Sequence, residues 1–183
     1  MIREFEQPSL WPCHKETGAE FIATGVDSSV YRVGDLVIKD YRVAPSFGRT
    51  RFVEKETLFD YFKITNLANE YFSKNGLYMN LPYRLKEIPV KINPILSLKS
   101  CDGCGGVEGV SKYIPGKRLS EVSDLFYKKE LNPTLNDLNE QLEKGLNCFG
   151  INVIPLNIKV SGNDTLVITD LCADIWMLKV NSG

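Results

Sequence analysis

A lysine inside an apolar strand is the first feature of this sequence that needs a chemical explanation. Leu36-Val37-Ile38-Lys39 sets an ammonium beside three aliphatic side chains, and burying it without an anionic partner is costly. On a half-solvated strand the same side chain would point to water instead. The helical run beginning near Thr50 offers two carboxylates, Glu54 and Glu56, either of which could pair with Lys39 and turn its ammonium toward phosphate oxygens. Glu54 sits better on a buried face, with Phe52 two residues before it and Leu58 four after. Both glutamates would also supply favourable charge near a helix N-terminus. Ahead of the lysine, Thr24-Gly25-Val26-Asp27-Ser28-Ser29-Val30-Tyr31 joins two strands. Taken alone it is a hairpin turn, but its small residues would also let backbone N–H groups lie over nucleotide phosphates.

Sulfur and imidazole form a second candidate set. Cys101-x-x-Cys104 with Cys13-His14 could supply tetrahedral Zn²⁺ ligands. Against this, Cys101-Asp102-Gly103-Cys104-Gly105-Gly106 also has the composition of an ordinary hairpin turn, and adjacent Cys13-His14 is not a typical ligand spacing. The plain turn is the preferred reading. His14, the sole histidine, has no Ser or Cys and Asp pattern near it that would build a triad. Cys172 reads as a small buried filler.

These residues need elements to hold them. Alternating apolar and polar positions broken by Gly25 and Gly34-Asp35 predict three short antiparallel strands, Glu20 to Thr24, Val30 to Val33 and Leu36 to Tyr41. Thr50 to Lys74 has no Gly or Pro and carries Phe52, Leu58, Phe59, Phe62, Leu67 and Tyr71 at mixed three and four spacings, which predicts a long helix. Its aromatic residues, Tyr61 and Phe72 among them, are read as core and rim. Lys91 to Leu98 and Val107 to Ile114 are expected to form a hairpin across the glycine-rich turn, ended by Pro115-Gly116. Helices are expected over Leu119 to Glu130 and over Thr134 to Phe149, the second beginning after Pro133 and ending at Gly150. A last hairpin pairs Asn157 to Val160 with Thr165 to Thr169. The sequence holds no internal repeat and no low-complexity tract.

Composition narrows the function classes. With 183 residues and 43% hydrophobic content, the chain can bury one real core. The 22 Lys plus Arg against 23 Asp plus Glu leave no global field to recruit nucleic acid or acidic membranes. Five cysteines without disulfide-scaffold spacing, and an N-terminus lacking the apolar stretch of a signal peptide, point to the cytoplasm. No window is apolar enough over the eighteen or so residues a membrane span requires.

Taken in order, these segments resemble the protein-kinase-like superfamily, including its aminoglycoside and choline phosphotransferase branch, from about residue 20 to about residue 175. Gly25 to Tyr31 is similar to the phosphate loop, Val-Ile-Lys39 to the strand lysine, and Glu54 or Glu56 to its helix partner. Tyr113-Ile114-Pro115-Gly116 with Leu119 resembles the small-molecule-kinase hinge, which implies adenine contacts from backbone groups at Lys112, Tyr113 and Ile114. Asn152-Val153-Ile154-Pro155-Leu156-Asn157-Ile158-Lys159-Val160 falls on the family's Asp-Leu-Lys-Pro-Glu-Asn-Ile-Leu-Val. Ile168-Thr169-Asp170-Leu171-Cys172 falls on its Asp-Phe-Gly region.

The resemblance implies an α+β kinase-like domain: an antiparallel five-stranded N-lobe sheet with one long helix over 20–114, after a lead of 1–19. A hinge and reduced helical C-lobe would follow over 115–183, ending soon after Asp170. It implies ATP and Mg²⁺ as ligands, with Gly25, Val26, Ser28, Ser29, Lys39 and Glu54 around the nucleotide and Asn157 and Asp170 on the metal. It departs from the family at the catalytic aspartate, which is Asn152, and just before it, where Gly150 and Ile151 replace the usual His or Arg. A neutral amide cannot accept the substrate proton as a carboxylate does. The expected function is therefore an ATP-binding pseudokinase or very weak phosphotransferase acting on a protein partner. The alternatives are an active atypical kinase and a nucleotide-free interaction module.

Overall fold

The computed structural model describes residues 18–24, 28–41, 55–82, 86–101, 106–122, 128–162, 165–172, 175 and 178–180. The alternating segments pair as expected. Strands β1 (Glu20–Thr24), β2 (Ser29–Val33) and β3 (Leu36–Tyr41) form an antiparallel meander. Strand β3 also pairs with β7 (Gly106–Lys112), and β7 with β6 (Ile95–Cys101). The result is a five-stranded antiparallel sheet in the order β1-β2-β3-β7-β6. With one long helix beside it, the architecture is α+β, as the sequence led us to expect.

That helix, α1, is described over Lys55–Asn75. Leu58, Tyr61, Phe62, Thr65 and Ala68 are buried at helical spacing and form the face that meets the core. Phe59, Leu67 and Tyr71 are exposed and lie outside that face. Two local devices fix the helix in place. A Cβ at Gly109 would lie 2.9 Å from the Phe62 ring, so glycine in β7 lets that ring reach the sheet and pack edge-on against Tyr41 at 5.6 Å. The Asn66 amide grips the Ile95 backbone from both sides, accepting from its N–H at 2.9 Å and donating to its carbonyl at 3.1 Å.

The expected strand Lys91 to Leu98 is split in two. Ile88–Ile92 forms β5 of a second sheet, whereas Ile95–Cys101 belongs to the first. Asn93-Pro94 lies at the break, since proline has no N–H to continue a ladder. Asn93 is buried and ties the sheets together: its N–H donates to Ile168 O at 2.9 Å and its Nδ2 to Lys112 O at 2.9 Å. The second sheet runs β4 (Tyr78–Met79), β5, β11 (Thr165–Ile168), β10 (Ile158–Ser161) and β8 (Lys117–Arg118). Strands β10 and β11 are the expected hairpin, and β5 lies parallel to β11.

The helices after the hinge differ from expectation in their boundaries. Among the described residues, Leu119–Val122 forms a first helix, α2, and Lys128–Leu146 forms α3 with Pro133 inside it. A proline there removes one hydrogen bond, at about 3 kcal/mol. Burial of Leu131, Leu135, Leu138 and Leu142, at roughly 1.5–3 kcal/mol each, outweighs it. The helix ends earlier than Gly150 because Asn147 adopts a left-handed φ of 49°. Cys148–Phe149 then forms β9, paired with β12 (Lys179–Val180). A single hydrophobic cluster joins α1, α3 and the second sheet.

Candidate functional site

A cleft of about 580 Å³ opens between the two sheets, within the size range of small-molecule sites. Val30, Val37 and Lys39 line it from the first sheet, Lys112 to Ile114 from the connecting strand, and Asn157, Lys159, Thr169 and Asp170 from the second sheet's hairpin. Gly116 fastens the hinge side. Its φ is 113°, and a Cβ there would come within 2.2 Å of Val160 O, so only glycine fits.

Lys39 lies deep in this cleft, its side chain 12% exposed, with Nζ 2.8 Å from Asp170 Oδ2 and 3.2 Å from Thr169 O. The strand lysine therefore has an anionic partner in Asp170, and of the two glutamates expected to pair with it only Glu56 can be placed. Glu56 is on the exposed face of α1, and Glu54 lies outside the described residues. Asp170 lies two residues past the end of β11, and from there its side chain meets the ammonium across the cleft.

The helix does contact this pair, through a residue the sequence reading assigned to the core. Tyr61 is 1% exposed, and its hydroxyl donates to Asp170 Oδ1 while accepting from Leu171 N at 3.2 Å. The available signal was its type: a tyrosine on a buried helix face needs a partner for its hydroxyl, where leucine or phenylalanine needs none.

Asn157 closes the 3₁₀ turn Pro155–Asn157. Its carbonyl accepts from Thr169 N at 2.8 Å and Thr169 Oγ at 3.1 Å, which brings it beside the residue preceding Asp170. The residue itself lines the cleft, and its side-chain amide makes no hydrogen bond among the described residues. An aspartate carboxylate and an amide oxygen are hard donors of the kind Mg²⁺ takes together with phosphates, so the residues present fit that ion. Among the described residues there is no cluster of three or more His, Cys, Asp or Glu that could hold a metal by itself.

Asn152 has an exposed side chain, and its N–H donates to Leu171 O at 3.2 Å in a short bridge to Cys172. Helix α3 fixes its segment. Glu143 Oε1 accepts from Gly150 N at 2.7 Å and Ile151 N at 3.0 Å, and Asn139 Oδ1 accepts from Val153 N at 3.0 Å. The same carboxylate acts on Cys148, whose thiol is pushed up to about 11, first by burial and second by Glu143. Cys172 is buried, in keeping with its expected role as filler, and it also forms part of the cleft lining.

The nucleotide-facing candidates divide. Ser28 lines the cleft, whereas Ser29 is buried and is not among the lining residues, as the twofold alternation of a strand requires. Gly25 and Val26 lie outside the described residues. Lys112, Tyr113 and Ile114 all line the cleft, yet two of their backbone groups are already engaged: Tyr113 N donates to Asp35 O at 2.8 Å, and Lys112 O accepts from Asn93. Arg32 stacks 4.0 Å from the centroid of the Tyr113 ring. Among the described residues, Arg32, Lys39, Lys112, Arg118 and Lys159 line the cleft alongside Glu20 and Asp170, an excess of positive charge that suits an anionic ligand. The proposed zinc ligands Cys13, His14 and Cys104 lie outside the described residues, as does the Cys101 side chain. Among the described residues no helix is long and apolar enough to cross a membrane.

The five-stranded antiparallel sheet with a long helix is the α+β arrangement that the kinase-like resemblance implied, whereas the second five-stranded sheet stands where a reduced helical lobe was expected. No protein-family model matches the sequence, and no curated protein matches it. Among solved structures, the chain is similar to WbdD at 14% identity over 83% of this chain and 31% of that one, with a TM-score of 0.45. A second WbdD structure, of the bifunctional kinase-methyltransferase, gives 14% identity, 79% and 29% coverage, and a TM-score of 0.40. The apo form of PpkA-294 gives 14% identity, 83% and 56% coverage, and a TM-score of 0.46. The chain thus spans about a third of WbdD and somewhat over half of PpkA-294. At this identity no residue role passes from those proteins to this chain.

Proposed function

We propose that the chain is a kinase-like domain that binds ATP with Mg²⁺ and transfers phosphate weakly or not at all, acting by shape on a protein partner. The observation that carries this reading is the Lys39–Asp170 pair inside a cationic cleft that Asn157 also lines. In this reading the Lys39 ammonium leaves Asp170 for the phosphate oxygens, which are the stronger anion. Asp170 and Asn157 would then hold Mg²⁺, which when bound supplies charge neutralisation to the phosphates. Val30 and Val37 provide an apolar roof, and the Lys159 stem lies below, its ammonium donating to Gly116 O at 2.9 Å. Asn152 can orient a hydroxyl by hydrogen bonding but cannot take its proton. A cytoplasmic setting belongs to the same reading, since the buried Cys148 and Cys172 form no disulfide.

Calorimetry with ATP, with and without Mg²⁺, and turnover of labelled ATP test this together. Saturable, Mg²⁺-dependent binding with background turnover is the expected result. Turnover at an ordinary kinase rate would favour an active atypical kinase instead. No heat at millimolar nucleotide would favour a nucleotide-free interaction module, a reading helped by the engaged hinge groups of Lys112 and Tyr113.

A further inference from the structure

We propose that Tyr61 is the positioning residue for the metal-binding carboxylate of Asp170, an inference that rests on the nucleotide and metal reading above. The two oxygens of Asp170 face different groups. Oδ2 is turned into the cleft and carries the Lys39 ammonium, a cation already standing on that side. Oδ1 is turned to the helix and accepts from the Tyr61 hydroxyl. The same hydroxyl oxygen accepts from the backbone N–H of Leu171, the residue after Asp170. The phenol therefore bridges the carboxylate and its own backbone, closing a ring that sets the direction of the side chain. Tyr61 itself cannot swing away, because it is 1% exposed, its ring packs against Phe62 at 5.7 Å, and its carbonyl accepts from Thr65 Oγ at 2.9 Å.

The division of labour follows from these contacts. One carboxylate oxygen is held by a fixed donor, and the other is presented to whatever cation occupies the cleft. When nucleotide draws Lys39 onto its phosphates, Oδ2 is left aimed at the metal while Oδ1 stays pinned. Hydrogen bonds of this kind to a ligating carboxylate commonly matter 10- to 100-fold in metal affinity. The contact also joins α1 to the metal-binding end of β11, so a shift of the helix would be felt at the ion.

The test measures ATP affinity by calorimetry across a series of Mg²⁺ concentrations for the wild type, Tyr61→Phe and Asp170→Glu, with a thermal melt of each. Tyr61→Phe is expected to raise the Mg²⁺ needed for half-maximal tightening by roughly 10- to 100-fold, with metal-free ATP affinity unchanged. Asp170→Glu keeps the charge but moves the carboxylate off the phenol, and it should show the same loss even if Tyr61→Phe does not fold. Wild-type Mg²⁺ dependence in either folded variant, whatever its melting temperature, would overturn the positioning role while leaving the nucleotide reading intact. A wild type whose ATP affinity ignores Mg²⁺ would overturn both.

Discussion

Replacing Glu143 by alanine should loosen the segment that carries Asn152, and the size of the effect can be worked out from its contacts. One oxygen, Oε1, accepts from Gly150 N at 2.7 Å and from Ile151 N at 3.0 Å. Ile151 is 5% exposed, so its N–H has no water to turn to, whereas Gly150 is half-buried and can partly hydrate. A buried donor left without an acceptor costs about 1–3 kcal/mol. Counting Ile151 in full and Gly150 in part gives roughly 2–4 kcal/mol for the pair. For a chain of this size that lowers the melting temperature by roughly 5–15 °C. Glu143→Gln keeps an acceptor oxygen in the same place and should lose only about 1 kcal/mol. It also removes the charge that helps raise the Cys148 thiol, so alkylation of Cys148 above neutral pH should speed up. Circular-dichroism melts and iodoacetamide labelling would read these two effects. An alanine variant as stable as the wild type, or a glutamine variant as damaged as the alanine one, would refute the reasoning.

Lys39→Met keeps the aliphatic stem and removes the ammonium, and it should weaken ATP binding at least about tenfold in calorimetry while the protein still melts cooperatively, because a charge-assisted contact to phosphate is lost. Asn152→Asp adds a carboxylate at an exposed position, so its stability should stay within about 0.5 kcal/mol of the wild type. Labelled-ATP transfer in that variant should rise by up to about 10²- to 10⁴-fold if a substrate is present, and an unchanged rate would show that the proton is not handled at this position. For Cys148, a thiol pushed up to about 11 by burial, from the ordinary 9.0, stays protonated in the folded protein where the unfolded chain ionises. Its contribution, up to roughly 2–3 kcal/mol, is fully present below pH 9 and lost as pH rises through 11. Urea unfolding across that range should show the loss in the wild type and a flatter profile in Cys148→Ala.

Short-range chemistry was legible in the sequence, and long-range competition was not. The strands Glu20–Thr24 and Leu36–Tyr41 could be read to the residue because alternation and the Gly34-Asp35 turn act over a few neighbours. Pro133 misled the reading of α3, since the leucines that offset its lost hydrogen bond are buried by α1 and the second sheet, which no local window contains. Pro94 erred in the other direction. The apolar run from Lys91 to Leu98 looked continuous, but Asn93 has hydrogen-bond partners in both sheets, and those partners exist only once the sheets have formed.

The candidate site divides along the same physical line. Lys39 stood out because its charge conflicts with its strand, and Asp170 because of its motif, yet their pairing joins positions 131 residues apart, and sequence spacing says nothing about that. Of the two glutamates expected by helix position as the partner of Lys39, Glu56 falls on the exposed face of α1, and Glu54 lies outside the described residues. On α1 the face that buries Leu58, Phe62 and Thr65 also carries Tyr61, so the group that reaches Asp170 is a neutral donor. That choice has an electrostatic consequence. A glutamate at this place would repel Asp170 and compete for Lys39, whereas a phenol leaves the carboxylate's full charge available to one cation at a time, first the ammonium and then, in the proposed cycle, the metal.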